Sequence, residues 1–185
     1  MNEVLNCIHR RFSCRGYDGR PVDKSALDTI AKAALAAPSA MNLQPWQIIV
    51  INNKDLIDEL DVSAMEILAA NPDKTGYNRF MERGGKVFYN APCMFLILKQ
   101  PAAKWADVDC GIMTQNICLA ADSLSLDNII VAMGSIPFNG PKGDDFKARI
   151  GWPDGAEFGM GVLVGHGNVT KEPHELDMAK LRYVE

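Results

Sequence analysis

Residues 93–98, CMFLIL, constrain this 185-residue chain more than any other stretch. Six consecutive apolar residues suit one strand and are far too few to span a bilayer. Successive side chains of a strand point to opposite sides of the sheet, so this strand is apolar on both faces and needs cover on both. The remaining sequence offers that cover as helices. The expected fold class is therefore mixed α+β, a sandwich with helices on both sides of a small sheet.

The other elements follow from periodicity and punctuation. Residues 3–11 read as a helix ending in Arg10-Arg11. Asp23 stands where it can cap a second helix, whose Leu27, Ile30, Ala31, Ala34 and Leu35 recur at helical spacing, and Pro38 stops it at Ala37. Trp46 to Ile51 reads as a strand. Asn53 is placed to cap a helix over 54–70, with Leu56, Leu60, Met65 and Leu68 near one face. Residues 71–90 are polar and poorly periodic, and read as a mobile excursion holding one helix. The longest helical pattern is 104–125, where Trp105, Val108, Ile112, Met113, Ile117, Leu119, Ala120 and Leu124 cover most of the circumference and predict a central helix. NIIVAM (128–133) and GMGVLVG (159–165) are further strands, and the short helix between them closes at Gly151. Nothing repeats and no linker divides the chain, so residues 1–185 are expected to form one domain.

Bulk properties narrow the function classes. A net charge of -4 provides no basic field for nucleic acid or an anionic membrane. Five scattered cysteines without CxxC spacing suit a reducing compartment, and His9, His166 and His174 are too far apart to suggest a metal site. The first residues, MNEVLNCIHRR, lack a signal-type apolar core, so the expected address is the cytoplasm. No strand leads into GxGxxG or GxxxxGK[ST], which leaves a Rossmann dinucleotide site or a P-loop unsupported.

Two stretches carry candidate chemistry. RRFSCRGY (10–17) gathers three arginines and a serine, donors that can surround a phosphate. The bland alternative is a solvated basic turn after a helix. APSAMNLQPW (37–46) places Ser39 and Asn42 beside Trp46, where hydroxyl and amide groups can meet the donor and acceptor edge of a heterocycle. The bland alternative is a turn in which these side chains bond their own backbone, a role that Gln44 fits best. His166 reads as a turn residue, Cys14 as an inert small residue, and Asp107 with Asp109 as a favourable helix start.

Arg11-Phe12-Ser13-Cys14-Arg15-Gly16-Tyr17 and Pro38-Ser39-Ala40-Met41-Asn42-Leu43-Gln44-Pro45-Trp46 come in order with DCGIMTQNICLAADSLSLDNIIV (109–131) and VLVGHG (162–167). Together they resemble the nitroreductase family of flavin mononucleotide (FMN) enzymes along nearly the whole chain. The resemblance implies a three-layer α-β-α sandwich around a small mixed, mainly antiparallel sheet, in an intertwined homodimer. It implies that Arg11, Ser13 and Arg15 contact the phosphate, ribityl chain and pyrimidine edge of FMN, with Phe12 contributing only backbone. Pro38, Ser39 and Asn42 would reach the same flavin from the other subunit. A backbone N–H at Met133-Gly134 would lie near flavin N5, and Lys180 and Arg182 near the phosphate. NADH or NADPH would reduce the flavin, which would pass hydride by a ping-pong mechanism to an electron-poor acceptor, a nitroaromatic or quinone. The flavin performs the redox step, so no side chain is expected to be catalytic. The same scaffold also suits dehalogenation, flavin destruction, ring oxidation or flavin binding without turnover. Phe12 stands where relatives often carry a polar residue, and Met133 where some carry an acidic one.

Overall fold

The computed structural model describes residues 2–185. Its elements, in chain order, are α1 (Glu3–Arg10), α2 (Lys24–Leu35), β1 (Trp46–Ile51), α3 (Lys54–Ala70), α4 (Thr75–Met81), β2 (Cys93–Lys99), α5 (Ala106–Ser123), β3 (Asp127–Val131), α6 (Gly143–Ile150) and β4 (Glu157–Gly165). The strands form one sheet in the order β1-β2-β4-β3, every ladder antiparallel. A single parallel bridge, Ser13 to Asn128, lies outside the ladders.

CMFLIL is the inner strand β2, and its alternation divides the core in two. Met94, Leu96 and Leu98, with Leu163, Ile129 and Val131, meet Leu56, Ile57 and Leu60 of α3, Phe80 of α4 and Phe146 of α6. Cys93, Phe95 and Ile97, with Val162 and Val164, meet Leu27 and Ile30 of α2 and Met113, Ile117 and Cys118 of α5. These residues of β2 are wholly buried. Each large one contributes about 1.5–3 kcal/mol relative to exposure, so a charge on either face is equally damaging. The three layers are thus a direct consequence of one two-faced strand.

Local signals set the boundaries. Asn53 Oδ1 accepts from the Leu56 N–H (3.1 Å), and Asn2 Oδ1 caps α1 in the same way through Leu5 (3.0 Å). Asp23 occupies the capping position of α2, but its side chain makes no capping bond; its carbonyl accepts from the Leu27 N–H instead. Gly151 follows α6 at φ 68, the left-handed conformation that glycine adopts most readily. In VGHG, a Cβ on Gly165 would stand 2.5 Å from Pro92, and one on Gly167 would stand 2.6 Å from the Asp127 carboxylate.

Two expectations change. Residues 71–90 hold α4, but they are not a loose excursion: Phe80, Val87, Phe88 and Tyr89 are buried in the core. Their apolar residues are spaced too irregularly to give a periodic signal. The segment is tied down by Asp61 of α3, a buried carboxylate that accepts from the Phe88 N–H (2.9 Å). Helix α5 lies against the sheet by one face only. Trp105, Val108, Ile112 and Leu124 at or beyond its outer face remain exposed, as do Val4, Leu5 and Ile8 of α1. Every residue from Asn168 to Glu185 is exposed as well.

Burial raises the pKa of Asp61 above its ordinary value of 3.8, although backbone N–H groups of Phe88 and Val87 and the charge of Lys86 oppose the shift. The folded state therefore holds this proton more tightly than the unfolded state, and stability is lost as pH rises from 3.8 through the raised value. Asp61→Ala should lower unfolding free energy by about 1–3 kcal/mol by orphaning the Phe88 donor. Asp61→Asn retains an acceptor and should gain on the wild type across that pH interval. Urea unfolding of the three proteins between pH 3.5 and 7 checks both the size and the sign.

Candidate functional site

RRFSCRGY is no solvated turn. Its chain runs along the free edge of β3, where the Cys14 N–H donates to the Asn128 carbonyl (3.0 Å), and then past the end of β4, where Asp18 N–H donates to the His166 carbonyl (3.0 Å). Alternation along this extended segment sorts its side chains. Phe12 and Cys14 pack into the core on the α3 side, and Tyr17 joins them beyond Gly16, where the alternation ends. Ser13 pairs with Asn128, whose side chain lies on the α5 side and donates from Nδ2 to the Cys118 carbonyl (3.0 Å). Arg11, two residues before Ser13, falls to that same side by alternation.

The arginines differ in what they have been given. Arg10 is engaged by Glu3 (3.0 Å) and Asp122 (2.8 Å). Among the described residues neither Arg11 nor Arg15 pairs with a carboxylate. Arg11 Nη1 is buried without a hydrogen-bond partner, and exposed Arg15 donates only to the Ser13 carbonyl (3.3 Å). A buried guanidinium N–H left unpaired costs on the order of 1–3 kcal/mol. An anion at this place would remove that cost.

The second stretch is a backbone-strained loop. Met41, Asn42 and Gln44 all have positive φ (52, 55 and 48), a conformation that non-glycine residues adopt at a cost and that concentrates at ligand sites. Ser39 Oγ accepts from the Gln44 N–H (2.9 Å), and Asn42 Oδ1 accepts from Gln44 Nε2 (2.9 Å). Gln44 therefore braces the turn. Pro38, Met41 and Asn42 are exposed, Ser39 half-buried, while Pro45 and Trp46 are buried and carry the chain into β1. The loop is fixed from below by buried Asp109, whose Oδ1 accepts from the Ala40 N–H (3.1 Å). Asp109 and Asn128 are thus anchoring residues that the sequence reading did not single out for these roles. A carboxylate at a helix start and an amide within a strand look ordinary until their partners are known.

Helix α5 separates the two stretches. The loop hangs on Asp109 in its first turn, whereas Arg10 is held at Asp122, and Ser13 is bridged to Asn128, whose amide bonds the Cys118 carbonyl, toward its last. Nine to thirteen residues at 1.5 Å each place the anchors about 14–20 Å apart along the axis. One chain does not bring Arg11, Ser13 and Arg15 together with Pro38, Ser39 and Asn42. Beyond β3, half-buried Met133 and buried Gly134 lie in the 3-10 turn Ala132–Asn139, and Met133 packs against the same core as Phe12. Lys180 and Arg182 are on the exposed tail, with Lys180 beside Asp177 (3.6 Å). A groove between α3 and α4, lined by Met65, Tyr77, Met81 and Lys86, contains none of these residues.

Residues 8–166 match the family model described as the Nitroreductase family. A crystal structure of a nitroreductase with bound FMN from Desulfitobacterium hafniense superposes with a TM-score of 0.95, at 44% identity and covering 100% of both chains. A nitroreductase with bound FMN from Bacteroides fragilis follows at 0.88 and 25% identity, again covering 100% of both. A relative from Methanothermobacter thermautotrophicus, named a candidate NADH dehydrogenase/NAD(P)H nitroreductase, is 31% identical over 67% of this chain and 58% of its own length.

The five cysteines stand apart from this chemistry. All are buried. Burial pushes the thiols of Cys93 and Cys118 up to about 12 and those of Cys7 and Cys110 up to about 11, and raises Cys14 in spite of Arg15 nearby. The thiolate is the reactive form, so a disulfide reagent such as DTNB at pH 8 should leave the native protein unlabelled and titrate all five thiols in denaturant. Rapid labelling of any native thiol would contradict this burial.

Proposed function

Because this chain belongs to the Nitroreductase family, we propose that it is an FMN-dependent, homodimeric oxidoreductase of the cytoplasm that uses NADH or NADPH as reductant. The observation that carries the reading is the division of the two binding stretches between opposite ends of α5. A twofold-related copy supplies the missing half, with Pro38, Ser39 and Asn42 of one subunit facing Arg11, Ser13 and Arg15 of the other. The uncovered apolar faces of α5 and α1 support the same pairing, since exposed patches of this kind mark interfaces.

The residues fit the cofactor. The orphaned, buried Nη1 of Arg11 suits a phosphate, with Ser13 adding a hydroxyl donor. Free of any carboxylate, Arg15 can stabilise negative charge on the pyrimidine edge. Backbone of Phe12 and the Met133-Gly134 turn would face the ring, and Lys180 and Arg182 would reach the phosphate from the tail. The preset loop at 39–42 orients the ring without needing to be ordered first. When bound, the flavin would supply hydride transfer between NAD(P)H and an electron-poor acceptor, a nitroaromatic or quinone, in alternating ping-pong half-reactions. The protein's part is binding, orientation and electrostatics.

Purified protein should be a yellow dimer that releases FMN on denaturation and oxidises NAD(P)H in the presence of menadione or a nitrofuran. A colourless monomer that fails to take up added FMN would overturn the proposal, and a flavin never reduced by NAD(P)H would overturn its enzymatic part. Arg15→Ala should weaken FMN binding by roughly tenfold or more, the size expected for one lost charged hydrogen bond, and lower the flavin potential. Fluorescence titration and a dye-coupled redox measurement read the two effects.

A further inference from the structure

Asn128 anchors the strap at 11–17 by its backbone, and its side chain has not yet been given a role toward the Arg11 half. Its backbone carbonyl accepts from Cys14 N–H (3.0 Å), and the residue forms the sheet's single parallel bridge with Ser13. Its Nδ2 donates to the Cys118 carbonyl (3.0 Å), which fixes the amide so that Oδ1 is the free end. Asn128 is 2% exposed, and that Oδ1 is buried with no partner. Arg11 Nη1 is buried with no partner too. One is an acceptor, the other a donor, and the Ser13–Asn128 bridge sets both on the α5 side of the sheet. The remaining unpaired buried atom among the described residues, Asp122 Oδ2, already lies against Arg10 Nε (2.8 Å). Two unsatisfied groups of opposite character in one buried place are rare unless they serve each other or share a water.

We propose that Asn128 is a positioning residue for Arg11, its Oδ1 taking one of the two Nη1 protons through a buried water and leaving the other to an anion. The guanidinium is then held by one edge. Its remaining N–H groups are turned toward the anion that the cofactor brings, here the terminal phosphate of FMN. This inference rests on the FMN reading above and assigns selectivity for the phosphorylated flavin to a residue that does not touch the flavin. An amide suits the task better than a carboxylate: it orients the arginine without neutralising it, leaving the charge for the phosphate. A hydrophobic residue of similar size would preserve the core but release the arginine.

The ratio of FMN to riboflavin affinity isolates the effect, because riboflavin lacks the phosphate and a merely structural fault would weaken both. In fluorescence titrations of the dimer, Asn128→Leu should lower FMN affinity about tenfold and leave riboflavin affinity within about twofold, roughly 1.4 kcal/mol of selectivity. In an Arg11→Gln background the same substitution should have no further effect on the ratio. Should Asn128→Leu fail to fold, Asn128→Asp serves: its carboxylate should capture Arg11 and depress the ratio, and a ratio equal to wild type overturns the proposal. Equal losses for both flavins, or effects of Arg11 and Asn128 that simply add, also overturn it. A wild type that binds neither flavin would overturn the FMN reading as well; one that binds FMN while the Asn128 variants keep its selectivity overturns this inference alone.

Discussion

Everything in this structure hangs on a strand that cannot be left half covered. Met94, Leu96 and Leu98 look one way and Cys93, Phe95 and Ile97 the other, with no polar residue to turn toward water. The helices are distributed accordingly, α3, α4 and α6 on one side and α2 and α5 on the other. Once α5 is pressed along the sheet, its two ends become the fixed points of the molecule. The loop at 39–42 is anchored to one end and the strap at 11–17 to the other, so the central strand indirectly determines the distance between the two candidate stretches.

That distance underlies the pairing proposed above. A site divided along one helix is incomplete in a single chain, and the same helix keeps an apolar outer face that the chain does not cover. Division of the site and exposure of the helix are two aspects of one placement. Burying the face and completing the site would then be a single event, which makes cofactor binding and association thermodynamically linked.

Sequence alone carried the layers, because a two-faced apolar strand and amphipathic helices leave little freedom. It also singled out both candidate stretches, since prolines, serine and paired arginines in fixed order are improbable as ordinary loops. The burial of Phe80, Val87 and Phe88 was hidden because these core residues are irregularly spaced, and because the segment's anchor, Asp61, bonds a backbone N–H, a contact no periodic pattern announces. The openness of α5 was hidden for the opposite reason: its apolar circumference is real, but hydrophobicity does not say whether cover comes from the same chain. Asp109 and Asn128 were illegible because their roles are set by long-range backbone partners, Ala40 and Cys14, that only the fold brings within reach.

The left-handed residues of the 39–44 loop have a consequence for how this protein can vary. Met41, Asn42 and Gln44 sit where a β-branched side chain collides with its own backbone, so valine, isoleucine or threonine is disfavoured there whatever the solvent side offers. Exposed positions ordinarily drift freely. Here a surface stretch inherits the substitution profile of a tight turn, tolerant of glycine and asparagine and hostile to branching, and this would persist in a descendant that had abandoned the ligand altogether.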